Sequence, residues 1–460
     1  MTPGSSGAPH PATAAFGAHV NPAFVKLLGV FGYGRVLTGA SGVTVRDSEG
    51  RSYLDLLAGF GSVNLGHNHP ALIARLHRFL DDDALNLVHV GPSAAAAELA
   101  EALAALAGPP LDIALFSNSG AEAVEAGLKL ARAATGRSAF VSLAAGFHGT
   151  NLGTLSILGS PRMRKPFEPL LADCAQVPFG DAAALENALK ARRVAAFVVE
   201  PILAEGGVLI PPAGYLSDAQ ALCKRHGTLL ILDEVQTGLG RTGTTFAFQG
   251  EGFVPDVLVL AKALGGSLAS IGATLTSRES HQRAYGSMKS FDLHGSTFGG
   301  NSLACVAALE TLRILRDEGL VENARDRGRD LREALAIRLK GHPFVRDVRG
   351  RGLLVGVELG PTDAGFLNRI APSLVEGLAE LVFGQWAAVK LLEKGILCQP
   401  ASQRWNVLKL TPPLTIGRGD VTRAVAAIGE VLDDYREVSA LLVDVARRLG
   451  EQALSGGAFR

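Results

Sequence analysis

Between residues 92 and 276 short apolar runs alternate with longer stretches of helical periodicity, and this alternation constrains the fold more than any other feature. The runs "DIALFSN" (112–118), "SAFVSLAA" (138–145), "VAAFVVEP" (194–201) and "GTLLILDE" (227–234), with 257–261 and 271–276, are predicted as strands. Helices are predicted over 92–108, 121–135, 181–191 and 214–226. A strand that is apolar on both faces needs cover on both sides. Crossover helices supply it, so the expected fold class is α/β with a large, mainly parallel sheet. A long helix is expected over 300–318. Two strands in 345–359, a helix over 383–394, a strand over 406–414 and a helix over 420–435 then read as a smaller α+β lobe. The stretch 42–59 reads as hairpin strands around an E-G turn, packing with that lobe. The expected layout is therefore a mobile tail (1–20), an N-terminal part of the small domain (21–65), the large domain (66–335), the C-terminal small domain (336–445) and a tail (446–460).

Open parallel sheets form their sites beyond the carboxyl ends of the strands. After 112–118 come Ser119, Gly120 and Ala121 at a helix start, with Ser119-x-x-Glu122 matching a capping box. Free N–H groups there suit a phosphate; the ordinary alternative is a plain helix cap. After 138–145 come Phe147 and His148 between glycines, where an aromatic ring stacks on a flat ligand or packs in the core. After 227–232 come Asp233, Glu234, Val235 and Gln236; an acid there either reaches solvent or is buried against a cation. "HGSTFGGN" (294–301) offers the Thr297 hydroxyl and several backbone amides, a second phosphate contact or a helix lead-in. Lys262 follows the apolar "VLVL". Alone it reads as a snorkelling strand-end lysine, but a poorly solvated amine is also a nucleophile. A phosphate cradle, a stacking aromatic, a buried acid, a second phosphate donor and a desolvated lysine are together what pyridoxal 5′-phosphate (PLP) requires.

Other readings are set aside on physical grounds. "GLGRTG" (238–243) spells G-x-G-x-x-G, but no helix follows it, so it reads as a turn rather than a dinucleotide site. The eleven histidines show no metal-ligand spacing, and His67 and His69 in "LGHNHP" have no acidic or Cys partner nearby in the sequence, so no metal is expected. Lys+Arg and Asp+Glu both number 44, and no helix-turn-helix or basic extension is apparent, so no nucleic-acid partner is expected. Four unpaired-looking cysteines and the lack of a signal-like or membrane-length apolar run point to the cytoplasm, with no membrane partner.

"SNSGAEAVEAGLKLAR", "GFHGTNLGTLS", "VEPILAEGGV", "LDEVQTGLGRTG", "PDVLVLAKALGG" and "HGSTFGGN" occur in the order found in the class III aminotransferases, PLP enzymes of fold type I. The chain resembles that family over about residues 42 to 435. "SPRMRKPFEPLLADCAQVPFGD" and "PPAGYL" are similar to putrescine and ornithine aminotransferases. The resemblance implies a ping-pong aminotransferase, with an aminomutase of the same fold as the alternative. It implies that Lys262 bonds to the cofactor aldehyde and shuttles the proton, and that Asp233 holds the ring nitrogen protonated. Gln236 would contact the ring O3′, Phe147 and Val235 would sandwich the ring, and Ser119, Gly120 and Ala121 would bind the phosphate, with His148 among the cofactor residues. Thr297 would bind the phosphate of a neighbouring subunit, which makes the expected assembly a homodimer. Glu200 and Glu205 match acids lining the family site. Where ornithine-type members carry two carboxylate-binding arginines, this chain has Thr150 and Lys409, and Phe60 replaces an aromatic hydroxyl at the substrate mouth. Lysine lacks the guanidinium fork. The expected substrates are therefore apolar or ω-amines, or their aldehydes, with a keto-acid or amino-acid partner. The stretch 361–385 is longer than expected and carries helical spacing.

Overall fold

The computed structural model describes residues 10–31, 34–191, 193–360 and 383–436, together with 443, 444 and 447. After two helices, Pro11–His19 and Pro22–Phe31, come strands β1 (Leu37–Ser41), β2 (Thr44–Asp47) and β3 (Ser52–Asp55). The large sheet is built from β4 (Ile113–Ser117), β5 (Ala139–Leu143), β6 (Cys174–Val177), β7 (Val194–Val199), β8 (Leu229–Asp233), β9 (Val257–Leu260) and β10 (Gly272–Thr276). Its order is β4-β10-β9-β8-β7-β5-β6. Only β10 runs against its neighbours β4 and β9; the β5–β9 pairings are parallel.

Why these runs become strands is visible in which way their residues face. Leu230 and Leu232 of β8 join one core cluster and Ile231 the other, and Phe197 and Val198 of β7 divide in the same way. Alternate side chains leave opposite faces of a strand, so an unbroken apolar run feeds two cores. The helix Gly120–Thr135 covers one face through Val124 and Leu128, and the helix Tyr215–His226 covers the other through Leu216 and Leu222. Each fully buried Leu, Val or Phe contributes about 1.5–3 kcal/mol.

Among the described residues there are two further sheets, and in one of them the N- and C-terminal parts of the chain meet. Strand β13 (Ile396–Leu397) pairs in parallel with β3, so the order β1-β2-β3-β13 joins both ends of the chain. Strands β11 (Val345–Arg351), β12 (Leu354–Leu359), β14 (Gln399–Ala401) and β15 (Arg404–Leu410) form the third sheet, ordered β11-β12-β15-β14.

Four differences from the sequence expectations are physical. The tail expected over 1–20 contains a helix, Pro11–His19. His10 Nδ1 accepts the Ala12 N–H at 3.2 Å, proline occupies the first turn, and Phe16 meets Phe24 of the next helix at 6.2 Å between ring centroids. Strand β6 was missed because its polar Gln176 interrupts the apolar run. The hairpin expected over 42–59 ends at Asp55, beyond which the chain turns left-handed. The strand expected over 406–414 begins at Arg404 and stops at Leu410, before the two prolines. Residues 361–382, most of the unexpectedly long stretch, lie outside the described residues. Among the described residues no helix is long and apolar enough to cross a membrane.

Candidate active site

Five strand ends of the large sheet deliver the chemistry to one edge. Beyond β9 the backbone closes a single 3-10 turn, Lys262–Gly265, with Lys262 itself in the left-handed region at φ 47°. Among the described residues no hydrogen bond or ion pair holds its Nζ. Burial lowers the pKa of this amine; Glu205 opposes the shift, Lys409 reinforces it, and Asp233 and Glu200 oppose it further. The net result is an amine below the ordinary lysine range, closer to its nucleophilic form.

Asp233 closes β8 and is buried. His148 Nδ1 lies 2.8 Å from its Oδ2, and the Val235 N–H donates to its Oδ1 at 3.0 Å. Burial works against a charged His148, but the hydrogen bond and charge of Asp233, with Glu200 behind, raise the imidazole. His148 Nε2 finds no hydrogen-bond partner among the described residues. Gly146 allows this packing, because a Cβ there would stand 2.9 Å from Nε2. Glu200, just past β7, accepts the Phe147 N–H at 2.8 Å. Burial pushes its carboxyl up to about 7 against the pull of His148.

The helix Gly120–Thr135 starts at the end of β4. Ser119 Oγ accepts the Glu122 N–H at 3.2 Å, as a cap should. Glu122 does not complete the reciprocal box; its carboxylate takes the N–H of Asn118, one residue earlier, at 2.6 Å. The first amides of this helix have no intrahelical acceptor. Bare backbone is needed here: a Cβ on Gly120 would lie 2.9 Å from Val235 Cγ1, and one on Gly149 2.6 Å from Ala121 Cβ. Phe147 and Val235 are half-buried, while Thr150 is exposed. Thr297 is also exposed, in a turn tied to Asn118 through Ser296 Oγ at 2.8 Å.

A second group of residues stands opposite. Lys409, on β15, has no exposed surface, and its ammonium is ion-paired with Glu205. Burial alone would raise the Glu205 carboxyl, but Lys409, then Lys262, and the Ser402 N–H at 2.9 Å bring it down to about 2. Lys409 Nζ sits 5.4 Å from the centroid of the Phe60 ring, a cation–π distance. Phe60 lies in a turn where Ala58, Gly59, Phe60 and Gly61 all have positive φ (45°, 56°, 58° and 80°). The two non-glycine residues cost about 1–2 kcal/mol each in that conformation. The Phe60 carbonyl accepts the Gln236 side-chain amide at 2.8 Å, which links this turn to the chain just beyond β8.

The sequence reading missed Ser402 and Gln403. Gln403 donates through its backbone to the Glu205 carbonyl at 3.1 Å and through Nε2 to the Gly146 carbonyl at 3.2 Å. No local pattern marks them, since Gln403 and Gly146 are 257 residues apart. Among the alternatives, "GLGRTG" is a turn whose Gly240 and Gly243 have φ of 90° and 86° and lie against Val321 and Arg325. His67 Nε2 pairs with Asp55 at 2.7 Å and His69 Nε2 with Glu318 at 3.1 Å.

An amine held below its usual pKa, a buried carboxylate backed by histidine, and a helix start with bare backbone suit a flat aldehyde bearing a phosphate and a ring nitrogen. This donor set fits PLP. The chain matches the family model "Aminotransferase class-III" over residues 32–432. It is 41% identical over 405 residues to the acetylornithine aminotransferase of Mycolicibacterium smegmatis, covering 88% of this chain and 95% of that protein. It is 38% identical over 446 residues to aminotransferase PigE of a Serratia species, covering 90% of this chain but only 52% of that longer protein. The ornithine aminotransferase of Toxoplasma gondii, a structure with PLP in partial occupancy at its active site, superposes with a TM-score of 0.77 at 33% identity, over 90% of this chain and 92% of that one. Transamination, rather than the internal amino shift of an aminomutase, is what these relatives share. The chain belongs to the class III aminotransferases, and its cofactor is pyridoxal 5′-phosphate.

Proposed function

We propose that this protein is a cytoplasmic, homodimeric aminotransferase whose preferred amine donor carries no carboxylate at the end facing Phe60, with a keto acid or amino acid as the other partner. The observation that carries this reading is the Glu205–Lys409 pair beneath the Phe60 ring. A carboxylate entering there meets an ammonium whose charge is already answered. It must displace Glu205, and a single ammonium offers no bidentate fork in return. An apolar or amine-bearing end meets the Phe60 face at no such cost. The Mycolicibacterium and Toxoplasma relatives are named for acetylornithine and ornithine, whereas this chain has Thr150 and Lys409 at the two arginine positions noted above.

PLP, when bound, supplies an aldehyde that takes up the amino group and an electron sink that acidifies the adjacent C–H bond. The chain supplies the rest. With the cofactor bound, Lys262 Nζ would carry a proton between the amine-bearing carbon of the substrate and the cofactor's aldehyde carbon, in one direction with the donor and in the other with the acceptor. Asp233, fixed by His148 and the Val235 N–H, holds negative charge against a ring nitrogen. The start of the helix Gly120–Thr135, with Ser119, Gly120 and Ala121, receives a phosphate. Gln236, held by the Phe60 carbonyl, and the half-buried Phe147 and Val235 lie on the same edge and would contact the ring.

Exposed apolar side chains support the dimer. Met288, Phe291, Leu293 and Phe298 flank Thr297 and are each more than half exposed, an apolar surface that a second copy would cover. Thr297 would then serve the partner's phosphate. The sheet joining both chain ends, with residues 21–65 and 336–445, would form the smaller domain against the large domain 66–335. A panel of amines assayed with 2-oxoglutarate and pyruvate, read by cofactor absorbance, tests the substrate reading; ornithine as the best donor would overturn it. Sedimentation of the holoenzyme tests the dimer, which a fully active monomer would contradict.

A further inference from the structure

Four consecutive residues in the left-handed region need something to hold them, and the structure shows what does. Asp55, the last residue of β3 and almost fully buried, uses both carboxylate oxygens. Its Oδ1 accepts the N–H groups of Leu57 at 2.9 Å and Ala58 at 2.8 Å, the two residues that lead into the turn. Its Oδ2 is 2.7 Å from His67 Nε2. His67 is itself fixed, exchanging backbone hydrogen bonds with Gly42 at 2.8 and 3.0 Å. On the other side Thr411, two residues beyond Lys409, donates its N–H to the Leu56 carbonyl and its hydroxyl to the Leu57 carbonyl, both at 2.8 Å. The chain therefore enters the turn clamped from both sides, and the clamp on one side shares a strand end with Lys409.

We propose that Asp55 and His67 are positioning residues for substrate selection: they clamp the left-handed turn Ala58–Gly61 and so fix where the Phe60 ring stands over Lys409. The proposal rests on the reading of Phe60 and Lys409 as the substrate wall. His67 restrains the Asp55 carboxylate from rotating away from Leu57 and Ala58. With the restraint removed, Ala58 and Phe60 have a path to conformations that L-residues prefer, and the ring shifts. The ring is a wall that the bound donor meets equally before and during the reaction, so its displacement weakens donor binding and changes KM rather than kcat. The Phe60 carbonyl also meets Gln236, so a small part of the effect reaches the cofactor edge.

The test is steady-state kinetics of the holoenzyme with its best amine donor. His67→Ala should raise the donor KM about tenfold with kcat little changed. Visible cofactor absorbance should be retained. His67→Gln, which keeps a donor aimed at Asp55, should recover most of the loss. In a Phe60→Ala background the same His67→Ala change should lose most of its effect on KM, because it acts chiefly through that ring; only the small part carried by the backbone carbonyl to Gln236 should remain. A loss that persists undiminished in the Phe60→Ala background, or one confined to kcat, would overturn the proposal. If His67→Ala does not fold, Asp55→Asn gives the same reading, since it keeps an acceptor for the two N–H groups and loses the one for His67. A wild-type protein that binds cofactor yet prefers ornithine breaks the substrate reading instead, whatever His67 does.

Discussion

The two walls of the proposed site, one for the cofactor and one for the substrate, are made in different ways. The cofactor wall comes from strand ends and the few residues after each: Ser119 after β4, Phe147 after β5, Glu200 after β7, Asp233 at the end of β8, Lys262 after β9. The substrate wall has no such local origin. Phe60, Glu205, Gln403 and Lys409 reach it from distant parts of the chain, and the Lys409–Glu205 contact spans 204 residues. A parallel sheet brings its strand ends together by its topology alone, so the first wall is as stable as the sheet. The second depends on particular buried contacts and should be the wall that single substitutions retune.

The largest expected effect separates the walls most sharply. Lys262→Ala should lower turnover by on the order of 10⁴-fold or more, with loss of the lysine–cofactor absorbance and little change in melting temperature. Substantial activity in that variant would remove the cofactor wall from the mechanism. Lys409→Ala should behave in the opposite way. It leaves Glu205 buried without its counter-charge, so stability should fall by about 3–5 kcal/mol, measured by urea unfolding, while the folded fraction still binds cofactor. Replacing both members by apolar residues of similar size should restore most of that loss.

The two walls should also answer to pH with opposite signs. Glu200 on the cofactor wall is raised from 4.5 to about 7, so its contribution is present below its usual pKa and is lost as pH rises between these values. Glu205 on the substrate wall is lowered from 4.5 to about 2, so its contribution is present above 4.5 and is lost as pH falls toward 2. Each amounts to about 3 kcal/mol at its limit. Thermal melts of the wild type, Glu200→Gln and Glu205→Gln across this range should show Glu200→Gln flattening the neutral-side decline and Glu205→Gln the acid-side decline. Identical profiles for the two variants would erase the distinction.

Legibility in the sequence follows the same division. The parallel sheet could be read because, with the exception of β6 and its polar Gln176, its crossovers left apolar runs of strand length followed by helical spacing. The cofactor residues could be read because each sits within a few positions of such a run. Lys409 was noticed only as a departure from a resemblance, and its burial against Glu205 was not readable, because nothing near "NVLKL" signals a partner 204 residues away. The expected hairpin runs on to residue 59 and so covers Ala58 and Gly59 of the turn, since "DLLAG" carries no Asn-Gly or Pro to announce left-handed backbone. What imposes that backbone is Asp55, Thr411 and Gln236, two of them far along the chain. The helix within the expected tail was missed for a smaller reason: proline and alanine were read as mobile chain, though proline suits a first helical turn.

The central claim is that Glu205 answers the charge of Lys409 and so turns donor choice away from carboxylates. The most direct measurement is the ratio of kcat/KM for putrescine to that for ornithine, in the wild type and in Glu205→Gln. In the wild type the ratio should exceed one. In Glu205→Gln the ammonium is unanswered, ornithine gains a charged contact, and the ratio should fall about tenfold or more. A ratio that stays the same or rises when Glu205 is neutralised would contradict the claim.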